Sequence, residues 1–299
     1  MSFGGSVPAA RLPDWIRARR LQLGELHGIK SRMRAGGLNT VCEEARCPNR
    51  SECFSRGTAT FLINGRTCTR NCAYCSIAHG RPVALDPGEP DELVRAATEM
   101  GLKHVVITSV DRDDLSDGGA AAFVECIRRL RDLPSSPTVE VLTPDFRGQM
   151  SAVDAIIAAR PDVYNHNVET VPRLYREVRR SGRYQWALDV LARVAERDTA
   201  ILRKSGMMVG LGEEPDEVVA VLENLARAGC QVVTIGQYLR PTTAQVAVKR
   251  YWRPEEFAAL EAEGTRLGLD VFAGPFVRSS YRAEEAFLRA HGSTATAAG

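Results

Sequence analysis

The stretch DELVRAATEMGLKHVVITSV (residues 91–110) decides the fold. Its first half reads as a helix that ends at Gly101, a residue suited to a C-cap. Its second half, KHVVITSV, reads as a strand. The same alternation extends in both directions. ATFLI (59–63) is an earlier strand, and AAAFVECIRRLRDL (120–133) is the next helix. Beyond it come TVEVLTP as strand, AVDAIIAAR as helix, DVYNHNVE as strand and YQWALDVLARVAERD as an amphipathic helix. MMVGL, PDEVVAVLENLARAG, QVVTIGQYL and PEEFAALEAEGTRLG continue it, strand then helix, to residue 268. Repeated strand–helix units imply a parallel sheet with helical crossovers. About six units fit, fewer than a complete eight-unit barrel needs. A partial (β/α) barrel and an open doubly wound sheet both satisfy the pattern.

Polar residues gather just after the strands: TSVDRDD from Thr108, NHNVE from Asn165, GLGEE from Gly210 and GQYLRP from Gly236. Parallel α/β folds build their sites at the carboxyl ends of strands, so this placement favours an enzyme. The chain has 299 residues, 44% hydrophobic and 25% charged, with a formal net charge of +2. Those values are ordinary for a globular protein and give no electrostatic case for nucleic acid. No apolar run is long enough to span a bilayer, and the first twenty residues lack the apolar core of a secretory signal. The expected location is cytoplasmic. GLGEE has too few glycines for a dinucleotide fingerprint and reads as a strand-end turn.

Six of the eight cysteines fall between Cys42 and Cys75. In a reducing compartment such clustering points to metal or thiol chemistry. The second group, CTRNCAYC, places Cys68, Cys72 and Cys75 on one short loop after the first strand. Three thiolates can hold three corners of a [4Fe–4S] cluster and leave the fourth iron open to an exchangeable ligand. Tyr74, inside the loop, offers an aromatic face or edge to an adenine. A zinc site with His79 as fourth ligand is the alternative from the residues alone. A redox dithiol of Cys72 and Cys75 is disfavoured because the C-x-x-C does not open a helix. The first group, CEEARCPNRSEC, adds Cys42, Cys47 and Cys53, again one ligand short, so two separate centres are the simplest count. Cys126 and Cys230 read as inert core residues. His166 reads equally as a structural or a catalytic group.

A CX3CX2C loop with an aromatic before its last cysteine, set after the first strand of a β/α array, resembles the radical S-adenosylmethionine superfamily. The pair of cysteine spacings resembles one family within it, the lipoyl synthases. The similarity takes in GRTCTRNCAYCSIAHGRP, VVITSVDRDDL, YNHNVETVPRLY, KSGMMVGLGE, IGQYLRPT and GPFVRSSY, from about Cys42 to Tyr281. The resemblance implies an α/β fold, a partial (β/α)6 TIM-like barrel over 56–270. An extension (1–55) would carry the first cysteine group, and a second (271–299) the RSSY motif, both helping to cover the open side.

It further implies two [4Fe–4S] clusters and S-adenosyl-L-methionine. One cluster would sit on Cys68, Cys72 and Cys75. The auxiliary cluster would sit on Cys42, Cys47, Cys53 and a serine of RSSY, Ser280 rather than Ser279. The implied reaction inserts two sulfur atoms at C6 and C8 of an octanoyl chain on a lysine of a lipoyl carrier domain. Its methylene carbons are unactivated, so hydrogen must leave by radical abstraction rather than to a base, and the auxiliary cluster would donate the sulfur. Thr108 and Ser109 are candidates for the methionine end of the cofactor, and Asn165, Asn167 and Glu169 for the ribose. The implied partners are octanoylated carrier domains (2-oxoacid dehydrogenase acyltransferase subunits, the glycine cleavage H protein), an electron donor such as ferredoxin or flavodoxin, and an iron–sulfur carrier. Competing readings are another sulfur-inserting radical enzyme, of the biotin synthase or methylthiotransferase kind, a two-cluster electron carrier, and a zinc-stabilised binding module.

Overall fold

The computed structural model describes residues 12–17, 58–280 and 287. Strands β1 (Thr58–Ile63), β2 (His104–Ser109), β3 (Thr138–Leu142), β4 (Val163–Asn165), β5 (Leu202–Val209), β6 (Val232–Gln237) and β7 (Asp270–Gly274) pair in chain order. Every pairing is parallel. Each connection must therefore cross over, and each carries a helix. These are α1 (Glu89–Glu99), α2 (Ala120–Arg131), α3 (Met150–Ala158), α4 (Tyr184–Arg197), α5 (Pro215–Arg227) and α6 (Pro254–Arg266). Among the described residues β1 and β7 each pair on one side only, which leaves the barrel open between them. Six β/α units are present, as the sequence pattern predicts. The seventh strand, DVFAG, is an addition: it is short, ends in glycine and straddles position 270.

Helical periodicity explains the outer layer. In α2, Phe123, Cys126, Ile127 and Leu130 are buried; in α4, Ala187, Val190, Leu191 and Val194; in α5, Val218, Val221, Leu222 and Leu225. Each set follows the i, i+3, i+4, i+7 rule that puts one stripe of a helix against a sheet. Burying each larger aliphatic side chain contributes about 1.5–3 kcal/mol. The helices cover the sheet face formed by alternate strand residues such as Phe61, Ile63, Val105, Ile107, Val139 and Val141 on one half, and Met207, Val209, Val233 and Ile235 on the other. Cys126 and Cys230 lie in these two clusters, as their expected inertness requires.

The opposite residues of each strand face the barrel interior. At its base Val163, Leu202 and Val232 form an apolar layer against which Phe272 and Phe287 pack. Above it the interior is polar. Lys204 Nζ lies 2.9 Å from Glu140 Oε1, His104 Nε2 lies 3.3 Å from Glu140 Oε2, and Asn165 Nδ2 donates to Glu140 Oε1 at 3.0 Å. Burial alone would raise the Glu140 carboxyl, but the Lys204 ammonium and His104 overcome it and bring its pKa down to about 2. Outside the base, a cavity of about 450 Å³ is lined by Arg131, Arg160, Asp162, Asp198 and Phe287 among others. It opens at the amino ends of β4 and β5, and its Arg131 is already paired with Asp162 at 2.8 Å. No helix among the described residues is long and apolar enough to cross a membrane.

Candidate active site

The cysteine loop follows β1 at the carboxyl end of the sheet. It is closed on itself by Cys68 N–H donating to Ala78 O (2.8 Å) and Gly80 N–H donating to Cys68 O (2.9 Å). His79 touches Cys68 through this backbone bridge and is otherwise exposed. Neighbouring strand ends then fix the loop from several sides. Thr69 bonds Asp111 O after β2 through both its N–H (3.0 Å) and its hydroxyl (2.9 Å). Ala73 N–H donates to Val178 O beyond β4, and Ala73 O accepts from Val246 N–H beyond β6, both at 2.9 Å. Gln245 Nε2 donates to Cys75 O at 3.1 Å. No helix starts in the loop, so Cys72 and Cys75 are not placed as a helix-opening dithiol.

Arg70, between the first two cysteines, is the buried staple. Its guanidinium donates to both oxygens of Asp113 (2.8 and 2.9 Å) and to both oxygens of Asp145 (3.0 and 2.7 Å). Asp111 lies 3.2 Å from its Nε. Burial opposes the charge, yet these carboxylates hold the Arg70 pKa above its ordinary value. Arg179 continues the network, reaching Asp145 at 3.5 Å and donating to Asn167 O at 2.8 Å. Neither arginine, nor Asp145, is among the site residues read from sequence. Arg70 does lie inside the cysteine motif, and a cation between closely spaced cysteines, with DRDD after the next strand, is the signal that marks Arg70 and Asp113; Asp145 and Arg179 carry no such local signal.

Cys68, Cys72 and Cys75 are half-buried and free of disulfides. Burial pushes the Cys68 and Cys72 thiols up to about 12, and raises Cys75 as well; Asp111 adds to the effect at Cys68. Without a metal these groups stay protonated at neutral pH, and ligation must displace the protons. No three His, Cys, Asp or Glu side chains among the described residues are gathered to hold one metal ion. The donor set fits a cluster with one iron left open.

The remaining predicted residues divide into two groups. Thr108 donates its hydroxyl to Leu142 O at 2.8 Å, within the sheet, and Asn165 belongs to the interior Glu140 network. Ser109, Asn167, Glu169 and Tyr74 lie nearer the mouth. Ser109 Oγ is buried with no hydrogen-bond partner. Glu169 lies by the Tyr74 side chain, and burial pushes its carboxyl above its ordinary value. Glu169 also holds a left-handed backbone conformation, φ 66°, costly for a residue with a side chain. Asn167 Nδ2 donates to Glu169 Oε1 (3.2 Å) and to Ser279 Oγ (3.0 Å). The RSSY segment thus enters the mouth. A Cβ at Gly236 would lie 2.1 Å from Val277 O, so only glycine lets the segment cross β6 so closely. Ser280 follows, half-buried. Cys42, Cys47 and Cys53 lie outside the described residues.

His166 is fully enclosed, with Nδ1 2.8 Å from Thr143 O and Nε2 unpartnered. Burial and the nearby Arg179 lower its pKa to about 4, so the ring is neutral at pH 7.

A family model described as the Radical SAM superfamily matches residues 62–238. Methylornithine synthase superposes with a TM-score of 0.54 at 12% identity, covering 85% of this chain and 79% of that one. The Escherichia coli coproporphyrinogen III oxidase, a radical SAM enzyme, superposes with a TM-score of 0.52 at 12% identity, covering 73% of this chain and 55% of that one. Fold, cysteine loop and family model together define the class: an enzyme that uses S-adenosylmethionine and a [4Fe–4S] cluster. Within it, this sequence is 52% identical over 282 residues to the lipoyl synthase of Xylella fastidiosa strain 9a5c, covering 93% of this chain and 76% of that one. It is 50% identical over 277 residues to that of Klebsiella pneumoniae strain 342, covering 92% and 86%. The chain belongs to the lipoyl synthase family of radical SAM sulfurtransferases.

Proposed function

We propose that this chain carries two [4Fe–4S] clusters and inserts sulfur at C6 and C8 of an octanoyl chain borne on a lysine of a lipoyl carrier domain. The first cluster is held by Cys68, Cys72 and Cys75, the auxiliary one by Cys42, Cys47, Cys53 and Ser280. Bound there, the first cluster and S-adenosylmethionine supply one-electron hydrogen abstraction, and the auxiliary cluster supplies sulfide. The protein's part is to hold and to exclude. Arg70, Asp113 and Asp145 keep the cysteine loop in place. Asn167 and Glu169 offer hydrogen-bonding groups for the ribose, Tyr74 flanks the adenine, and Ser109 has an uncommitted hydroxyl for the methionine end. In this reading 56–270 is the catalytic barrel, and the flanking segments 1–55 and 271–299 complete it as one structural unit.

The observation that carries this reading is the hydrogen bond from Asn167 to Ser279. It supports a mouth shared by the two sites, because it seats the serine pair beside residues that follow β4 on the same rim as the cysteine loop. The partners are octanoylated domains of 2-oxoacid dehydrogenase acyltransferases and of the glycine cleavage system. A ferredoxin or flavodoxin supplies electrons, an iron–sulfur carrier rebuilds the auxiliary centre, and the setting is the cytoplasm.

Anaerobic reconstitution followed by iron and sulfide counting tests the proposal, on the wild type and on a variant with Cys42, Cys47 and Cys53 all changed to alanine. About eight irons falling to about four is the expected result, with S-adenosylmethionine cleavage retained and lipoyl product lost. A wild type holding about four irons, or mainly zinc, overturns the two-cluster assignment.

A further inference from the structure

Asn167 keeps only 9% of its surface exposed, so its side-chain amide has to settle its hydrogen bonds with what surrounds it. Both donors of the nitrogen are used, one by Glu169 Oε1 at 3.2 Å and one by Ser279 Oγ at 3.0 Å. The oxygen, Oδ1, is buried and has no hydrogen-bond partner among the described residues. It occupies room left by a missing side chain. A Cβ at Gly206 would lie 2.8 Å from Oδ1 and 2.7 Å from Thr234 Oγ1.

An amide has nearly the same shape at its two ends, so only hydrogen bonding distinguishes one orientation from its 180° flip. Flipping this one would turn Oδ1 toward the Glu169 carboxylate and lose that bond, so Glu169 sets the orientation, while the Ser279 hydroxyl, able to accept or donate, holds the amide in place. Glu169 alone supplies one of the two restraints, from a backbone that already holds φ 66°. Ser279 supplies the other from a different part of the chain, 112 residues away.

We infer that Ser279 is a positioning residue. With Glu169 it holds the amide of Asn167 so that Oδ1 stays beside Gly206 in the barrel interior, as an acceptor for a hydroxyl or amino group of the bound cofactor. The inference rests on the S-adenosylmethionine reading above and extends it to the RSSY segment. It also divides the labour within that motif: the hydroxyl of Ser279 is engaged by Asn167, which leaves Ser280 as the oxygen available to iron. The two sites then share one strut. Loss of the Ser279 hydroxyl acts on cofactor binding at the three-cysteine site, although the residue adjoins the other centre in sequence.

The test uses the full reconstituted chain as wild type, Ser279→Ala and Ser279→Thr, with iron per chain and the S-adenosylmethionine dissociation constant (equilibrium dialysis) as readouts. Ser279→Ala is expected to keep the wild-type iron content and to bind S-adenosylmethionine on the order of ten-fold more weakly, the effect of losing one restraining hydrogen bond to a buried amide. Ser279→Thr keeps the hydroxyl and is expected to bind within about three-fold of wild type. Unchanged binding by Ser279→Ala, or loss of iron from it, overturns the inference and leaves the reading of the cysteine loop standing. A wild type that binds no S-adenosylmethionine overturns that reading, and the inference falls with it.

Discussion

Exchanging Lys204 for methionine retains most of the side chain's length while removing its charge, and the structure sets the scale of the damage. Lys204 keeps 1% of its side-chain surface and Glu140 none, so neither ion can turn to water when its partner is lost. The Glu140 carboxyl, held at about 2 against an ordinary 4.5, is stabilised by roughly 3 kcal/mol in its ionised form. Removing one partner of a buried pair costs about 3–5 kcal/mol, because the remaining charge is left uncompensated. The expected loss for Lys204→Met is therefore about 3–5 kcal/mol, read as a lower urea midpoint of the apoprotein at unchanged slope.

The double variant Glu140→Gln, Lys204→Met carries no buried charge there and should recover most of that loss. The pH dependence has a definite sign. A carboxyl depressed in the folded state contributes its stability above its unfolded pKa near 4.5, and loses it as pH falls toward 2. In Lys204→Met the largest of the effects offsetting burial is gone and, of the two basic partners, only His104 remains, so Glu140 takes up its proton at higher pH. The gap between the variant and wild type should narrow as the pH is lowered from 7 through 4.5. A loss below about 1 kcal/mol at pH 7, or a double variant less stable than the single one, would refute the argument.

Arg70→Gln leaves Asp145 buried with a weaker partner and loosens the cysteine loop. Iron bound after reconstitution of the triple-alanine background should fall well below the about four atoms of one cluster. Gly236→Ala sets a methyl group against Val277 O and pushes the 276–280 segment out of the mouth. We expect S-adenosylmethionine to bind on the order of ten-fold more weakly, as in Ser279→Ala, and lipoyl product, measured on an octanoylated peptide at saturating cofactor, to drop at least ten-fold. His166, lowered from 6.5 to about 4 chiefly by burial, binds its proton more readily unfolded than folded. Its share of stability is full above pH 6.5 and is lost as pH falls toward 4, so His166→Gln should flatten that acid limb of a denaturation-midpoint profile.

Much of the architecture is readable in the sequence because helices and strands here carry strong, distinct periods. α2, α4 and α5 each bury a stripe at helical spacing, and the strands between them are short apolar runs. β7 is not legible because five residues ending in glycine carry too little pattern to register. Cys68, Cys72 and Cys75 were legible since chelation by one loop is a local property, written in consecutive residues. Arg70 to Asp145 and Asn167 to Ser279 are not local. Each joins residues 75 or more positions apart, and nothing in either partner's own neighbourhood names the other. The pairing of Glu140 with Lys204 is illegible for a related reason. A charge in a strand, Glu140 in TVEVL and Lys204 in LRKSGMMV, becomes meaningful only once parallel register turns both toward the interior. Thr108 donates its strand-end hydroxyl to the neighbouring strand, a bond that depends on register and that its own sequence neighbourhood does not name.

The RSSY segment follows the last strand, whereas the cysteine loop follows the first. A growing chain therefore makes the cysteine loop early and the Ser279 strut after all seven strands have been synthesised. Until then the amide of Asn167 has one restraint instead of two, and the mouth lacks its far wall. Order of synthesis thus gives the site an order of assembly, with the barrel laid down first and its mouth finished last.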